Sequence, residues 1–287
     1  MKIIRAKVLG YCMGVRRAVQ SAENALAEQN GNKIFTLGPL IHNPCVLKNL
    51  EEKGLKILDE ENLYLADSKS TVIIRAHGTT PSVLQILEIS GAKVLDATCP
   101  RVHLSQKRAA EYYTKGYSVI IAGDRNHGEV VSISGYARND VTVIENHDEA
   151  EKLELNEKTI LIAQTTFSPK EFEKIVEVLK SKNEKIVVLN SICSATLERQ
   201  NALKDIAGLA QGILVIGGKN SANTRRLYET ACTLFEKALL IQNESEITED
   251  FFAMESVAIT AGASTPDYVI DRVEEFLSRK SAGKSIN

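Results

Sequence analysis

The sequence predicts an α/β protein of three small domains, because one pattern of strand, loop, cysteine and helix occurs three times. The copies are residues 93–99, 6–12 and 186–193. In each copy a short β-branched and apolar run precedes small or turn-forming residues, then the cysteine, then a helical pattern. The cysteines are spaced 87 and 94 residues apart. Each is therefore expected in a strand-to-helix loop at the carboxyl end of a strand, where open α/β sheets bind ligands.

Each copy continues with further buried runs that end in loops rich in Gly, His, Ser and Thr, so the three units offer the same three loops in the same order. The expected domains are residues 1–98 with Cys12, 99–192 with Cys99 and 193–279 with Cys193, followed by a polar tail at 280–287. A pseudo-threefold trefoil of such domains would direct all nine loops to one central cavity. The alternative is three sequential flavodoxin-like pieces without a shared centre.

Composition excludes several classes of function. The 287 residues are 44% hydrophobic and 25% charged, with a net charge of −2, so the chain has no basic surface that would favour nucleic acid. No apolar run approaches the roughly 18 to 20 residues of a membrane span. The first five residues lead into a strand pattern instead of a secretory signal. We therefore expect a cytoplasmic protein without nucleic-acid or membrane partners.

Five cysteines without a close pair indicate thiols and not a disulfide framework in a reducing compartment. Cys12, Cys99 and Cys193 occupy equivalent loops. Three such thiolates can bind zinc with an open fourth position, or a 4Fe-4S cluster in which one iron has no protein ligand. The spacing does not decide between the two. Cys45 and Cys232 lie on the apolar stripes of predicted helices, where a cysteine is usually a small hydrophobic residue.

The remaining loops favour a small anionic substrate. They combine three histidines at predicted helix starts with hydroxyl and amide side chains: His42, His77, His127, Ser221, Asn223, Ser264 and Thr265. Helix amino termini with such side chains can hold phosphate or diphosphate without many lysines or arginines. A Ser or Thr at a helix start is also an ordinary cap, so only the convergence of several such groups indicates a site.

Glu129 is the only carboxylate close behind one of these histidines. In a closed, partly dry pocket a glutamic acid can have a raised pKa and serve as a proton donor. A glutamate in the first turn of a helix also simply complements the helix dipole. Spacing alone does not favour either interpretation.

With these residues identified, the chain resembles the 4-hydroxy-3-methylbut-2-enyl diphosphate reductase family, the iron-sulfur enzymes that end the non-mevalonate route to isoprenoid precursors. The similarity extends from about Ile3 to Leu277. It rests on many motifs in the family's order: residues 10–15, 42–43, 75–78, 96–100, 164–166, 192–193, 195–196, 199–200 and 260–264.

The resemblance implies one 4Fe-4S cluster per chain, bound by Cys12, Cys99 and Cys193 with one iron left open, at the centre of a three-lobed α/β fold. It implies that the diphosphate is held by His42, His77, His127, Ser221, Asn223 and Ser264. It implies that Glu129 and Thr165 deliver a proton beside the substrate hydroxyl, and that the electron donor is a ferredoxin or flavodoxin.

Two positions depart from the family's usual pattern. Ala222 stands where a second serine is usual, so at that position only the backbone N–H is left to bind the diphosphate. The missing neutral hydrogen bond is worth on the order of 1 kcal/mol. Gly128 stands where proline is usual between His127 and Glu129, which leaves that loop less restrained in the absence of substrate.

The resemblance implies reductive removal of the hydroxyl group of 4-hydroxy-3-methylbut-2-enyl diphosphate to give isopentenyl and dimethylallyl diphosphate. Two alternatives remain. One is a hydro-lyase that uses an open-iron cluster without net electron transfer on a small phosphorylated substrate. The other is a non-enzymatic metal- or cluster-binding electron carrier, in which the histidine and Ser/Asn loops would have no purpose.

Overall fold

The structure is a computed structural model that describes residues 1–29 and 31–283. Strands and helices alternate along the described chain. The strands are β1 (Lys2–Arg5), β2 (Lys33–Leu37), β3 (Lys56–Leu58), β4 (Ser70–Ile74), β5 (Lys93–Asp96), β6 (Ser118–Ala122), β7 (Val141–Ile144), β8 (Thr159–Ala163), β9 (Val187–Leu189), β10 (Gly212–Ile216), β11 (Lys237–Ile241) and β12 (Ser256–Ala261).

The helices begin mostly at residues that favour helix starts, such as the prolines at the first positions of α3, α4 and α7. They are α1 (Met13–Ala27), α2 (Pro44–Glu52), α3 (Pro81–Ile89), α4 (Pro100–Thr114), α5 (Gly128–Tyr136), α6 (His147–Glu151), α7 (Pro169–Lys182), α8 (Ser194–Lys204), α9 (Ala222–Leu234) and α10 (Asp267–Gly283). Residues 284–287 of the expected polar tail lie outside the described residues.

The strands form three parallel four-stranded sheets with one shared topology. Their strand orders are β3-β2-β4-β5, β7-β6-β8-β9 and β11-β10-β12-β1. In the first two sheets, the first strand in sequence occupies the second place and the second strand lies at the edge beside it. The third and fourth strands follow on its other side. In the last sheet β10, β11 and β12 take the places of the first three strands. For the last sheet the fourth place is taken by β1, which pairs with β12 from Lys2↔Ser256 to Arg5↔Ile259. The prediction of three small α/β domains is confirmed.

The position of the first strand was predicted wrongly. Residues 6–9 read as a strand in the sequence, whereas the strand is Lys2–Arg5 and Lys7 and Val8 lie in a bend. The backbone pairing with β12 ends as Ala6 donates to the carbonyl of Ile259, at 2.9 Å, and the chain then turns toward Cys12. Apolar side chains at Val8 and Leu9 pack against the core from this bend, which explains their strand-like composition.

The outer strands β3, β7 and β11 were not predicted from the sequence. These strands pair with one neighbour only and are partly exposed, so they lack the continuous apolar run that marks a central strand. By contrast β4, β8 and β10 are buried along their whole length. Burial on both faces is what parallel strands covered by helices on both sides require.

The chain forms two compact units. Unit 1 comprises Met1–Arg16, Ile41–Asn49 and the described chain from Ser194 onward, and unit 2 comprises Arg17–Leu40 and Leu50–Cys193. Unit 1 contains the sheet closed by β1, and unit 2 contains the other two sheets. In unit 1, alternate residues of β10 enter different apolar clusters: Ile213 packs with residues of α9, and Leu214 with residues of α10.

No helix within the described residues combines the length and the apolar composition needed to cross a membrane.

Candidate functional site

The predicted substrate-binding and proton-donating residues all follow the two central strands of a sheet. In each sheet the strand order reverses between these two strands, and ligands of open α/β sheets bind at the carboxyl ends beside such a reversal. His42 follows β2, His77 follows β4, His127 and Glu129 follow β6, Thr165 follows β8, Ser221 and Asn223 follow β10, and Ser264 follows β12. The topology therefore places every one of them at a ligand-binding edge of its sheet.

The three repeated cysteines follow the fourth strands β1, β5 and β9, and they are held by equivalent hydrogen bonds. The backbone N–H of Cys12 donates to the carbonyl of Ala263 at 3.1 Å, that of Cys99 to Ala76 at 3.0 Å, and that of Cys193 to Thr165 at 2.8 Å. Each acceptor is the second residue after the neighbouring central strand. The sequence repeat is thus a repeat of local structure, down to one backbone contact.

Each of these cysteines also stands immediately before a helix, namely α1, α4 or α8. The Sγ of Cys12 accepts from the backbone N–H of Val15 at 3.5 Å. The amino end of a helix carries partial positive charge, so an anionic sulfur is well placed there. Cys45 instead packs against the core cluster of unit 1, and Cys232 is exposed on α9. Cys45 thus lies at the core and Cys232 at the surface.

Glu129 is buried, with 1% of its surface exposed, in the first turn of α5. One carboxylate oxygen accepts from the backbone N–H of Thr165 at 2.6 Å, and the other accepts from the Thr165 hydroxyl at 2.7 Å. The carbonyl of Thr165 in turn accepts from the Cys193 N–H. A buried carboxyl group, a hydroxyl and a cysteine are therefore joined in one chain of hydrogen bonds within unit 2.

The imidazoles of His77 and His127 meet edge to face in unit 2, with ring centroids 4.9 Å apart. His127 caps α5, and its Nδ1 accepts from the backbone N–H of Glu129 at 3.2 Å. Because Nδ1 accepts, the neutral ring carries its proton on Nε2 and can donate from that side. Two imidazoles at the start of α5 suit an anionic group that accepts several hydrogen bonds.

In unit 1 the loops after β10 and β12 close around the backbone of His42. The Ser264 hydroxyl donates to the His42 carbonyl at 3.3 Å. A Cβ atom at Gly218 would lie 2.2 Å from that carbonyl oxygen, so only glycine permits this approach. Thr265 is fully buried and donates to the carbonyl of Ile216 at 2.9 Å, which makes it a structural residue.

The start of α9 provides the remaining predicted groups of unit 1. Ser221 caps this helix, and its hydroxyl oxygen accepts from the Thr224 N–H at 3.3 Å. Ala222 is 2% exposed. Asn223 is 6% exposed, and its Nδ2 is buried without a hydrogen-bond acceptor among the described residues. A buried donor without a partner is costly, so this one is suited to receive an acceptor from a bound ligand.

Two supporting residues were not assigned a role from the sequence, although both stand in motifs that it singled out. Gln164 is fully buried, accepts from the Asp124 N–H at 2.8 Å and donates to the Thr166 hydroxyl at 2.9 Å, and so links the loops after β6 and β8. Arg199 donates to the carbonyls of Ala195 and Gly10, and so fixes the Cys12 loop. Only the tertiary contacts reveal these functions.

The residues fit an iron-sulfur cluster by the chemistry of the donors. All five cysteines are thiols, and the three repeated ones are partly buried in loops at ligand-binding sheet edges. Thiolate sulfur is the usual protein ligand of iron-sulfur clusters, so this set of donors suits one.

Comparison with known proteins identifies the family. The profile of the LytB protein family matches residues 3–278. A 4-hydroxy-3-methylbut-2-enyl diphosphate reductase from Treponema denticola is 46% identical over 287 aligned residues, covering 96% of this chain and 99% of the relative. The reductase of the same name from Caldanaerobacter subterraneus subsp. tengcongensis is 40% identical over 276 residues, covering 96% of each chain.

Two solved structures are similar over almost the whole chain. One is an (E)-4-hydroxy-3-methyl-but-2-enyl diphosphate reductase, described as the terminal enzyme of the non-mevalonate pathway, with a TM-score of 0.72, 36% identity and coverage of 97% of this chain and 100% of that one. The other is an E-1-hydroxy-2-methyl-but-2-enyl-4-diphosphate reductase from Plasmodium falciparum, with a TM-score of 0.88, 27% identity and coverage of 97% and 87%. The similarity of sequence and of structure over nearly the full length leads to one conclusion, that this chain belongs to the LytB family.

Proposed function

We propose that the chain is a reductase that converts 4-hydroxy-3-methylbut-2-enyl diphosphate to isopentenyl and dimethylallyl diphosphate. The observation that carries the proposal is the buried Glu129 carboxyl group, hydrogen-bonded to Thr165, whose carbonyl holds the amide of Cys193. A carboxyl group, which can exchange a proton, thus lies next to the loop that carries Cys193. Two relatives named 4-hydroxy-3-methylbut-2-enyl diphosphate reductase each match 96% of this chain.

The proposal assigns Cys12, Cys99 and Cys193 as the ligands of one 4Fe-4S cluster. When bound, such a cluster supplies electrons and, at the iron that no cysteine holds, a Lewis acid. The equivalent backbone contacts of the three cysteines support a shared role. A ferredoxin or flavodoxin in the cytoplasm is the proposed class of electron donor.

The chain's own residues have two tasks in this reaction. The first is to bind the diphosphate, which we assign to the histidines, to the hydroxyl and amide groups, and to one backbone N–H: His42, His77, His127, Ser221, Ala222, Asn223 and Ser264. The unpartnered Nδ2 of Asn223 and the Nε2 side of His127 support this assignment. Binding at several donors fixes the allylic end of the substrate relative to Glu129.

The second task is to move protons. Overall the reaction consumes two electrons and two protons: one proton leaves with the hydroxyl as water, and the other adds to an allylic carbon. We assign the first proton to Glu129, because its carboxyl group is shielded from water and is hydrogen-bonded to the hydroxyl of Thr165, which can relay a proton. Addition at either end of the allyl group gives the two products.

The test is anaerobic turnover of the substrate with and without a one-electron reductant. The proposal predicts loss of the hydroxyl group only with reductant, with two electrons consumed per product. Equal turnover without reductant would contradict it and favour the hydro-lyase. Electron transfer without consumption of the diphosphate would contradict it and favour an electron carrier.

A further inference from the structure

Arg75 belongs to the motif that contains His77, and no role follows for it from the sequence. It is the first residue after β4. Its guanidinium lies between two glycines of unit 2. A Cβ atom at Gly38 would be 2.8 Å from Nη1, and one at Gly128 would be 2.5 Å from Nη2 and 2.9 Å from Cζ. Gly38 has φ +65°, a conformation that favours glycine. A side chain at this position would occupy the space that the Arg75 guanidinium fills. The two glycines therefore form a slot that fits the guanidinium.

Arg75 forms no ion pair with a carboxylate among residues 1–29 and 31–283, although the charge of Glu60 acts on it. Its buried Nε also has no hydrogen-bond acceptor in the described part of the chain. Burial lowers the pKa of the Arg75 guanidinium, and the negative charge of Glu60 only partly opposes this effect. Holding a partly buried cation without an anion costs folding free energy, so its retention calls for another explanation.

The position of the slot at the start of α5 raises the cost in folding free energy of holding the Arg75 cation there. Gly128 is the first residue of α5, and a cation at the amino end of a helix opposes the helix dipole. The preceding residue is His127, whose ring meets that of His77. Arg75, the start of α5 and two imidazoles thus place several positive or proton-donating groups in one region of unit 2. An anionic ligand there could accept hydrogen bonds from the imidazoles and offset the charge of Arg75.

We infer that Arg75 is a further positioning residue for the substrate, whose fixed charge attracts and orients the diphosphate at His77 and His127. The inference rests on the proposed function. It extends that function by assigning part of the diphosphate affinity to the electrostatic field of a residue held in the glycine slot. The ligand class is a multiply charged phosphate or diphosphate ester, and a neutral substrate would gain nothing from this charge.

The test uses cluster-loaded protein and inorganic diphosphate as the probe. Binding is measured by calorimetry at low and high salt for the wild type, Arg75→Lys and Arg75→Gln, together with kcat and KM for the substrate. Arg75→Gln should weaken diphosphate binding by about tenfold at low salt and raise KM similarly, with kcat within about threefold of wild type. Arg75→Lys should recover most of the affinity because it keeps the charge. The difference in diphosphate affinity between the wild type and Arg75→Gln should be smaller at high salt.

Lys158→Gln is the matched control, since it also removes one positive charge but lies exposed next to the amino end of β8. It should leave diphosphate binding unchanged. If Arg75→Gln does not fold, Gly128→Ala decides instead, because the added methyl group displaces the guanidinium without changing the net charge. Weaker diphosphate binding by Gly128→Ala is then expected.

Wild-type affinity in a folded Arg75→Gln or, where that variant is unfolded, in Gly128→Ala would overturn the inference and leave the proposed function intact. An equal loss of affinity in Lys158→Gln would also overturn it, because the effect would then be one of net charge. Wild-type protein that neither binds diphosphate nor reduces the substrate would instead refute the proposed function.

Discussion

At the scale of single residues, Glu129 has features of both interpretations that its sequence position left open. It is in the first turn of α5, as a glutamate that complements the helix dipole would be. It is also buried, so it is shielded from water as the proposed proton-transfer group must be, and it accepts two hydrogen bonds from Thr165. Burial depends on the loop after β8, which lies 36 residues away in sequence. For this reason spacing alone left the two interpretations even.

Replacing Glu129 by Gln tests its role as proton donor. The variant keeps the shape of the side chain and an acceptor for the Thr165 N–H, so the fold and the cluster content should be retained. The rate of turnover should fall by about a hundredfold to ten-thousandfold, which is the usual contribution of a positioned general acid. Thr165→Ser, which keeps the hydroxyl, serves as the control in the same assay. Full activity in Glu129→Gln would remove Glu129 from the mechanism.

Asn223 should contribute to binding of the substrate and not to folding. Its buried Nδ2 has no acceptor in the described protein, so Asn223→Ala removes no protein hydrogen bond through that atom. A hydrogen bond to a charged group contributes about 1.5–3 kcal/mol, so KM should rise about tenfold or more. Asn201→Ala, at an exposed position of α8, should leave KM unchanged. A destabilised Asn223→Ala protein with normal KM would show the residue to be structural.

At the scale of elements, the loop after β4 depends on a glycine that the motif around His77 contains. Gly78 has φ +74°, and a Cβ atom there would lie 2.4 Å from Nε2 of Gln106 and 2.7 Å from Oγ of Ser132. The Nε2 of Gln106 also donates a hydrogen bond to the Oγ of Ser132 at 2.6 Å. The loop that presents His77 is therefore packed against α4 and α5.

Comparing Gly78→Ala with Gly116→Ala isolates this packing. Gly116 has a nearly identical φ of +77° but nothing within 4 Å of the added atom. The backbone cost of about 1–2 kcal/mol should be common to both variants. Gly78→Ala should lose a further 1–3 kcal/mol or so from overpacking, measured by urea unfolding. Equal free energies of unfolding would mean that the loop relaxes without cost.

The contact between α6 and α7 predicts a pH dependence of stability. Burial alone would raise the pKa of Glu171, but hydrogen bonds from the side chain and backbone N–H of His147, with the positive charges of His147 and Lys174, lower it below its ordinary value of 4.5. A lowered pKa means that the ionised group stabilises the folded state above about pH 4.5, and that this contribution is lost as the pH falls through the folded value.

Glu171→Gln should therefore flatten the loss of stability below about pH 4.5, measured as the urea midpoint across the acidic range. The exposed Glu173 on the same helix provides the control substitution, Glu173→Gln, which should keep the wild-type slope. If the urea midpoint of Glu171→Gln fell with decreasing pH as steeply as that of the wild type, ionised Glu171 would not be the source of the pH dependence.

The elements differ in how far the sequence could predict them. β4, β8 and β10 are buried along their length, and their continuous apolar runs were recognised. The first strand was misplaced by a few residues, because the apolar residues Val8 and Leu9 contact the core from a bend. Only the pairing of Lys2–Arg5 with Ser256–Ile259 fixes that strand, and a contact over such a separation leaves no local signal.

At the scale of the whole molecule, the threefold repeat could be predicted because the cysteines recur at matched distances. The sequence did not reveal that each cysteine strand is the fourth strand of its sheet, nor that β1 fills this place in the sheet formed by β10, β11 and β12. The matched contacts of Cys12, Cys99 and Cys193 with the neighbouring loops follow from this topology. They could not be derived from spacing, since one partner loop lies about 250 residues from its cysteine in the chain.

The central proposal is that Cys12, Cys99 and Cys193 are the ligands of one 4Fe-4S cluster. The most direct measurement is the iron and sulfide content of anaerobically purified single Cys→Ser variants at all five positions. The account predicts near four irons and four sulfides per chain in the wild type, Cys45→Ser and Cys232→Ser, and loss of most of the cluster in Cys12→Ser, Cys99→Ser and Cys193→Ser. A full cluster in any of the last three variants, or zinc in place of iron in the wild type, would contradict it.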